Sequence, residues 1–209
     1  MTKAVFFGAS TVEGTGASSP EKRFSTVVCQ TLGWEEVNLG IGGTPMTGRD
    51  DAGMLVDEES GIGRVPDVLH AAPDWVLILF GANDFAQSKP LGDPNQFRQG
   101  TFYWDYDTVL RGLIENLPDA QIVPMTLLYR ADGETPNVEG KVLADYNAVI
   151  HQLAERYKLR LADADAHAGI NARSFAALSV GDGAHLNDDG YQHLAAFLIE
   201  CFQTDRCDG

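Results

Sequence analysis

The sequence predicts an α/β fold, a parallel sheet with helices on both of its faces. Three observations predict it. Short apolar runs alternate with segments of helical period along the 209 residues, which is the order that strand–helix–strand units produce. One run, Trp75-Val76-Leu77-Ile78-Leu79-Phe80 behind Asp74, is continuously apolar, as a strand covered on both faces must be. The connections are also unequal. Those from helix back to strand are short (71–73, 118–119, 156–158), whereas those leaving strands are long (40–63, 81–104, 128–140, 162–187). Long loops gathered at the carboxyl edge of a parallel sheet are what a ligand site requires.

Each element has its own signal. Ala4 to Phe7 is a short apolar strand that breaks abruptly at Gly8-Ala9-Ser10, with Gly14 and Gly16 just beyond. Ser19 and Pro20 mark a helix start, Phe24, Val27, Val28 and Leu32 keep its period, and Gly33 ends it. Trp34 to Leu39 is a second strand that runs into Gly40-Ile41-Gly42-Gly43-Thr44-Pro45. Residues 48–63 are acidic and glycine-rich, a loop or loose helix, and Val65 to Ala72 is a short helix. The central strand, 74–80, ends in Gly81-Ala82-Asn83-Asp84. Tyr106, Val109, Leu110, Leu113, Ile114 and Leu117 mark a helix, Gln121 to Leu127 a strand, and Leu143, Tyr146, Ile150, Leu153 and Tyr157 another helix. Leu159 to Leu161 is a short fifth strand, and Asp188 to Phe202 a final helix with Leu194, Leu198 and Cys201 inward. No repeat, linker or low-complexity stretch interrupts this order, so residues 1–209 read as one domain.

Composition narrows the function. The net charge is -15, with no basic stripe, which argues against a nucleic-acid partner and fits a solvated acidic surface. The three cysteines, Cys29, Cys201 and Cys207, are too few and too scattered for a disulfide framework, although Cys201 and Cys207 are close enough in sequence to pair. A reducing compartment fits them. No apolar run reaches membrane-span length, and a strand beginning by Ala4 leaves no room for a signal peptide. The expectation is a cytoplasmic chain with no membrane partner.

Four small blocks lie at strand ends or near the end of the chain: Gly8-Ala9-Ser10, Asn38 to Gly43, Gly81 to Asp84, and Asp182-Gly183-Ala184-His185. Acyl transfer needs a nucleophile, a base, an acid that orients the base, and donors for the developing oxyanion. Ser10 suits the first role and His185 the second. Asp182, three residues before His185 in a glycine-containing loop, can curl back to the imidazole. The backbone N–H groups of Ser10 and Gly43 and the amide of Asn83 can face the oxyanion.

With these blocks in this order the chain resembles the SGNH hydrolases, the GDSL-type esterases and lipases, from Gly8 to Tyr191. The resemblance implies a three-layer α/β/α, flavodoxin-like fold with a five-stranded parallel sheet. It implies Ser10 as nucleophile, His185 as base, Asp182 as its partner, and Ser10, Gly43 and Asn83 as oxyanion donors. One departure is plain: the family's first block reads Gly-Asp-Ser, and here Ala9 stands at the aspartate position, which brings the stiffness of the Ser10 turn into question.

The expected activity is cleavage of a short-chain, acetyl-type ester of a carbohydrate or small metabolite, with no metal or organic cofactor; lipase or thioesterase action on longer chains is the alternative. Phe85, Leu128, Tyr129 and Leu186 are candidates for the substrate pocket.

Three other readings fit less well. A nucleotide-binding Rossmann protein would need tighter glycine spacing than Gly8 to Gly14, and neither Tyr-x-x-x-Lys nor a P-loop occurs. A larger α/β-hydrolase would need Gly-x-Ser-x-Gly, but residue 12 is Val. A non-catalytic module would have no reason to keep Ser10, Asp182 and His185 together. Asp163, Asp165 and His167 invite a metal or rival acid–base reading, yet their alternation with small residues also fits a strand-to-loop transition.

Overall fold

Strand β1 (Lys3–Gly8) buries every residue from Ala4 onward. Such a run demands cover on both faces, and it sits inside the sheet. In the computed structural model, which describes residues 1–204, β1 pairs in parallel with β2 (Glu35–Gly40) on one side and β3 (Trp75–Leu79) on the other. β3 in turn pairs in parallel with β4 (Gln121–Pro124), giving the order β2-β1-β3-β4. The register sets Gly8 opposite both Gly40 and Leu79. Three strands therefore end at one level, and the loops that follow them share one rim.

The sheet has four strands rather than five. The expected fifth is reduced to one parallel bridge between Met125 and Ala162. Pro124 has no N–H to extend the β4 ladder, and Asp163 immediately becomes the N-cap of a short helix.

Nine helices complete the described residues: α1 (Ser10–Glu13), α2 (Phe24–Leu32), α3 (Val65–Ala71), α4 (Ala82–Ala86), α5 (Phe102–Asn116), α6 (Leu143–Tyr157), α7 (Ala164–His167), α8 (Phe175–Leu178) and α9 (Asp188–Gln203). Pro20–Lys22 forms a separate 3-10 turn before α2, so the helix expected from Ser19 begins at Phe24. Side-chain alternation along β1 explains the layers. Phe6 points at Phe24 of α2, which stacks on Tyr191 of α9. Phe7 points the other way, at Phe80 beyond β3. α2 and α9 pack together on one face, and α5 contacts both α3 and α6 on the other. The expected helical stripes are the buried ones: Tyr106, Val109, Leu110 and Leu113 in α5; Tyr146, Ile150 and Leu153 in α6; Leu194, Leu198 and Cys201 in α9. The alternative pairing of Cys201 with Cys207 lies outside the described residues. No helix among them is long and apolar enough to cross a membrane.

Candidate active site

Ser10 is the first residue of α1, so its N–H has no helical acceptor and its side chain stands at the rim. Two facing glycines make this turn sterically possible. A Cβ on Gly8 would lie 2.4 Å from Val12 Cγ2 and 2.6 Å from the Leu79 carbonyl; one on Gly40 would lie 2.0 Å from the Glu13 nitrogen. Only hydrogen at both positions lets α1 fold down across the strand ends. The Gly8 carbonyl accepts from Ile41 N at 3.2 Å and from Arg64 Nη2 at 3.1 Å. Arg64 is buried between the rings of Phe7 and Phe80, and also donates to the carbonyls of Leu39 (2.8 Å) and Glu59 (2.7 Å). Asn38 Nδ2 donates to the Val12 carbonyl at 2.6 Å. These bonds hold the turn from below and beside it, so it is anchored with alanine at position 9.

The loop before α9 carries the other two groups. Asn187 caps α9 by accepting from Gly190 N at 3.0 Å, and Val180 N donates to the His185 carbonyl at 3.1 Å. Between these anchors, at positive φ, lie Gly181 and Gly183. The resulting turn brings Asp182 Oδ2 within 2.6 Å of His185 Nδ1, and His185 Nε2 within 2.9 Å of Ser10 Oγ. Asp182 Oδ1 accepts the backbone N–H groups of Ala184 (2.9 Å) and His185 (2.8 Å). Donation from the His185 backbone, then from its ring, holds the Asp182 carboxyl far below the usual carboxylate range. An ionised carboxylate only accepts, so Nδ1 carries the imidazole proton and Nε2 is left to accept from the Ser10 hydroxyl. The three side chains thus form one directed chain of hydrogen bonds, suited to drawing a proton off Ser10.

Gly43 and Asn83 lie across from them. Ser10, His185, Gly43 and Asn83 line one cleft of about 400 Å³. Gly43 has φ +79°, a conformation that favours glycine. Asn83 is the second residue of α4 and donates one amide hydrogen to the Thr44 carbonyl at 3.0 Å, leaving the second for a ligand.

Residues 6–193 match the GDSL-like lipase/acylhydrolase family. The chain belongs to that family. Membership makes this GDSL-like protein a carboxylic ester hydrolase. It is 28% identical over 191 residues to an acetylxylan esterase of Geobacillus stearothermophilus, covering 90% of this chain and 81% of that one. The fold recurs in a crystal structure of a Lactobacillus plantarum protein (TM-score 0.81, 21% identity, 97% of this chain and 96% of that one). It recurs also in a lipase/acylhydrolase of Enterococcus faecalis (TM-score 0.69, 20% identity, again 97% and 96%).

The walls of this GDSL-like cleft differ from the expected ones. Of the four candidate pocket residues only Leu128 lines it. Phe85 is buried against Tyr146, Tyr129 packs edge-on against Phe175, and Leu186 is enclosed by the last helix, with Gly190 at its side chain. The expectation counted aromatic and large apolar residues near the right loops, but those have the most to gain from the core. Besides Leu128 the cleft is lined by other neighbours, among them Thr11, Thr15, Phe80, Ala86, Leu127 and Arg130. Thr11 and Thr15 were within reach of sequence reasoning, because Thr11 follows Ser10 in α1 and Thr15 lies just past the end of that helix. Arg130 forms a two-pronged ion pair with Asp132 (2.9 and 3.1 Å).

Asp163, Asp165 and His167 form no metal nest. Asp163 accepts from Thr126 Oγ1 at 3.1 Å and lies 3.5 Å from His151 Nε2, while Asp165 N donates to that same threonine oxygen. Among the described residues no three His, Cys, Asp or Glu side chains converge to hold a metal ion.

Proposed function

We propose that this hydrolase is a serine esterase working through an acyl-enzyme, with residues 1–209 acting as one catalytic domain. The observation that carries the reading is the continuous hydrogen-bond chain Asp182–His185–Ser10, its Ser10 end in the cleft shared with Gly43 and Asn83. His185 Nε2 takes the Ser10 proton as Oγ attacks the ester carbonyl. The oxyanion is received by the N–H groups of Ser10 and Gly43 and by the free amide hydrogen of Asn83. Protonated His185 then delivers its proton to the leaving alcohol, while Asp182 stabilises the imidazolium. Water, activated by the same histidine, releases the acid. Every proton and electron pair in this cycle is accounted for by the ester, water and these side chains, so the steps call for no cofactor.

The substrate we propose is an acetyl-type ester of a carbohydrate or small metabolite. The acetylxylan esterase relative supports it, and so do the small residues Ala82 and Ala86 in the cleft wall.

Ser10→Ala is expected to abolish turnover of p-nitrophenyl acetate while leaving the far-UV spectrum and melting temperature intact. Retained turnover would sink the nucleophile assignment. An acyl series from acetate to decanoate, run beside acetylated sugars, tests the substrate class. Rates that climb with chain length would favour lipid or thioester substrates instead.

A further inference from the structure

We infer that Gln87 is a positioning residue for the oxyanion site: by holding the Gly43 carbonyl it fixes the backbone torsions of Gly43 and so keeps the Gly43 N–H open to the substrate. The inference rests on the esterase reading above and concerns how its oxyanion site is kept in shape.

Gly43 is the loosest point of the site. At φ +79°, with nothing within 4 Å of where a Cβ would stand, it is held by neither side-chain packing nor steric restriction. Its flanks are secured. Ile41 N donates to the Gly8 carbonyl at 3.2 Å, and Thr44 Oγ1 to the Ile41 carbonyl at 2.8 Å. Beyond Gly43, Asn83 holds the Thr44 carbonyl, and the buried Asp84 carboxyl accepts Met46 N (2.8 Å) and Thr47 N (2.9 Å). The Gly43–Thr44 peptide plane between these anchors has one firm bond, from Gln87 Nε2 to the Gly43 carbonyl at 2.8 Å. Thr44 N reaches Ile41 O only at 3.5 Å. Among the described residues no acceptor takes the Gly43 N–H.

Gln87 is well placed for this. It follows α4 directly, and its own N–H closes the last turn on the Asn83 carbonyl at 2.8 Å. Asn83 and Gln87, four residues apart, lie on one helical face. One thus supplies an oxyanion donor while the other fixes the loop carrying the second donor. If the Gln87 bond is lost, Gly43 is free to rotate, and a catalytic N–H that must meet a developing charge is out of place for part of the time. Gln87 is solvent-exposed, so removing its amide leaves no unsatisfied group in the core.

The test compares Gln87→Met, which keeps the length but donates nothing, with Gln87→Lys, which keeps a donor, on acetyl esters of several alcohols. Gln87→Met is expected to lower kcat about five- to twentyfold, less than outright removal of an oxyanion donor. KM should stay within about twofold, the loss should be the same for every alcohol, and the melting temperature should hold, as for most surface changes. Gln87→Lys should restore most of kcat. An unchanged kcat overturns the inference. So does a loss confined to KM and varying with the alcohol, which would mean Gln87 touches substrate, and so does failure of lysine to rescue. A parent enzyme inert toward all these esters would overturn the esterase reading itself, whereas an active parent matched by Gln87→Met overturns only the role of Gln87.

Discussion

Asp182 binds His185 twice, through the ring Nδ1–H at 2.6 Å and through the backbone N–H at 2.8 Å. One carboxylate therefore sets both the path of the loop and the tilt of the imidazole. Asp182→Asn keeps Oδ1 for the backbone bond, but it can present an amide hydrogen to Nδ1 and so favour the tautomer that protonates Nε2. We expect kcat for acetyl esters to fall on the order of 10²–10⁴, with KM little changed. Asp182→Ala, which also gives up the loop bonds, should lose as much activity and show faster amide exchange across residues 180–186. Steady-state kinetics with hydrogen exchange separates the two effects. A rate for Asp182→Asn within threefold of the parent would count against the triad.

The same carboxylate makes a pH prediction. Its folded-state pKa is depressed, chiefly by the backbone and ring donors of His185. A depressed carboxyl contributes stability that is fully present above its unfolded value, about 3.9, and is lost as pH falls through the folded value. The stability difference between parent and Asp182→Asn should therefore be largest at neutral pH and shrink as pH drops below about 4. The effect is modest because the side chain is 45% exposed. Asp182 also stays ionised across the working range, so this carboxylate should add no proton of its own to the acid limb of kcat/KM. Urea melts at several pH values check the first statement, and a log–log rate profile with an acid limb steeper than unit slope would refute the second.

The sequence made the strands and the meeting of the site residues legible for different reasons. Trp75 to Leu79 was readable because a strand covered on both faces leaves no polar position in its run. That Ser10, Asp182 and His185 meet was readable because the predicted strand order restricts which loops share a rim; their roles in acyl transfer are the proposal made above. The fifth strand was not readable as a lone bridge: Leu159 to Leu161 has the composition of a strand, and what stops it is the proline in β4 and the helix cap at Asp163. Phe85, Tyr129 and Leu186 were misplaced because an apolar residue near an active-site loop has the same signature whether it faces substrate or core. The pairing of Gln87 with the Gly43 carbonyl has no local signal, since it joins residues 44 positions apart.

Gly40 ends β2 and Gly43 lies in the loop just beyond it, yet the two should respond oppositely to alanine. At Gly40 the new methyl would sit 2.0 Å from the Glu13 backbone nitrogen, an atom that cannot move without displacing α1. Gly40→Ala should cost about 3 kcal/mol or more, at the upper end of overpacking, and lower expression. At Gly43 there is open space, so the cost is the positive φ alone, about 1–2 kcal/mol. Gly43→Ala should fold, melt slightly lower and lose kcat, because the strained residue relaxes by moving its N–H. Chemical denaturation and kinetics on both variants check the contrast; equal loss of stability would refute it.

Asp84, next to the proposed oxyanion donor Asn83, is fully buried and accepts Met46 N and Thr47 N. Burial pushes its carboxyl above the usual carboxylate range, opposed by those backbone donors. The sign is therefore opposite to that of Asp182. Between the ordinary value near 3.9 and the raised folded value, the native chain keeps a proton that the unfolded chain has released, so stability falls as pH rises through that window. Asp84→Ala removes this dependence and leaves two buried N–H groups without acceptors, at about 1–3 kcal/mol each. Its deficit against the parent should therefore be greatest at acid pH and narrow toward neutrality, as the parent loses stability that the variant has no means to lose. Kinetically the variant should resemble a loosened oxyanion loop, with kcat reduced while KM holds. Urea melts of both proteins at pH values from about 4 to 7 check the slope, and a parent whose stability relative to the variant rises over that range would show that Asp84 is ionised throughout and serves the loop as a buried anion.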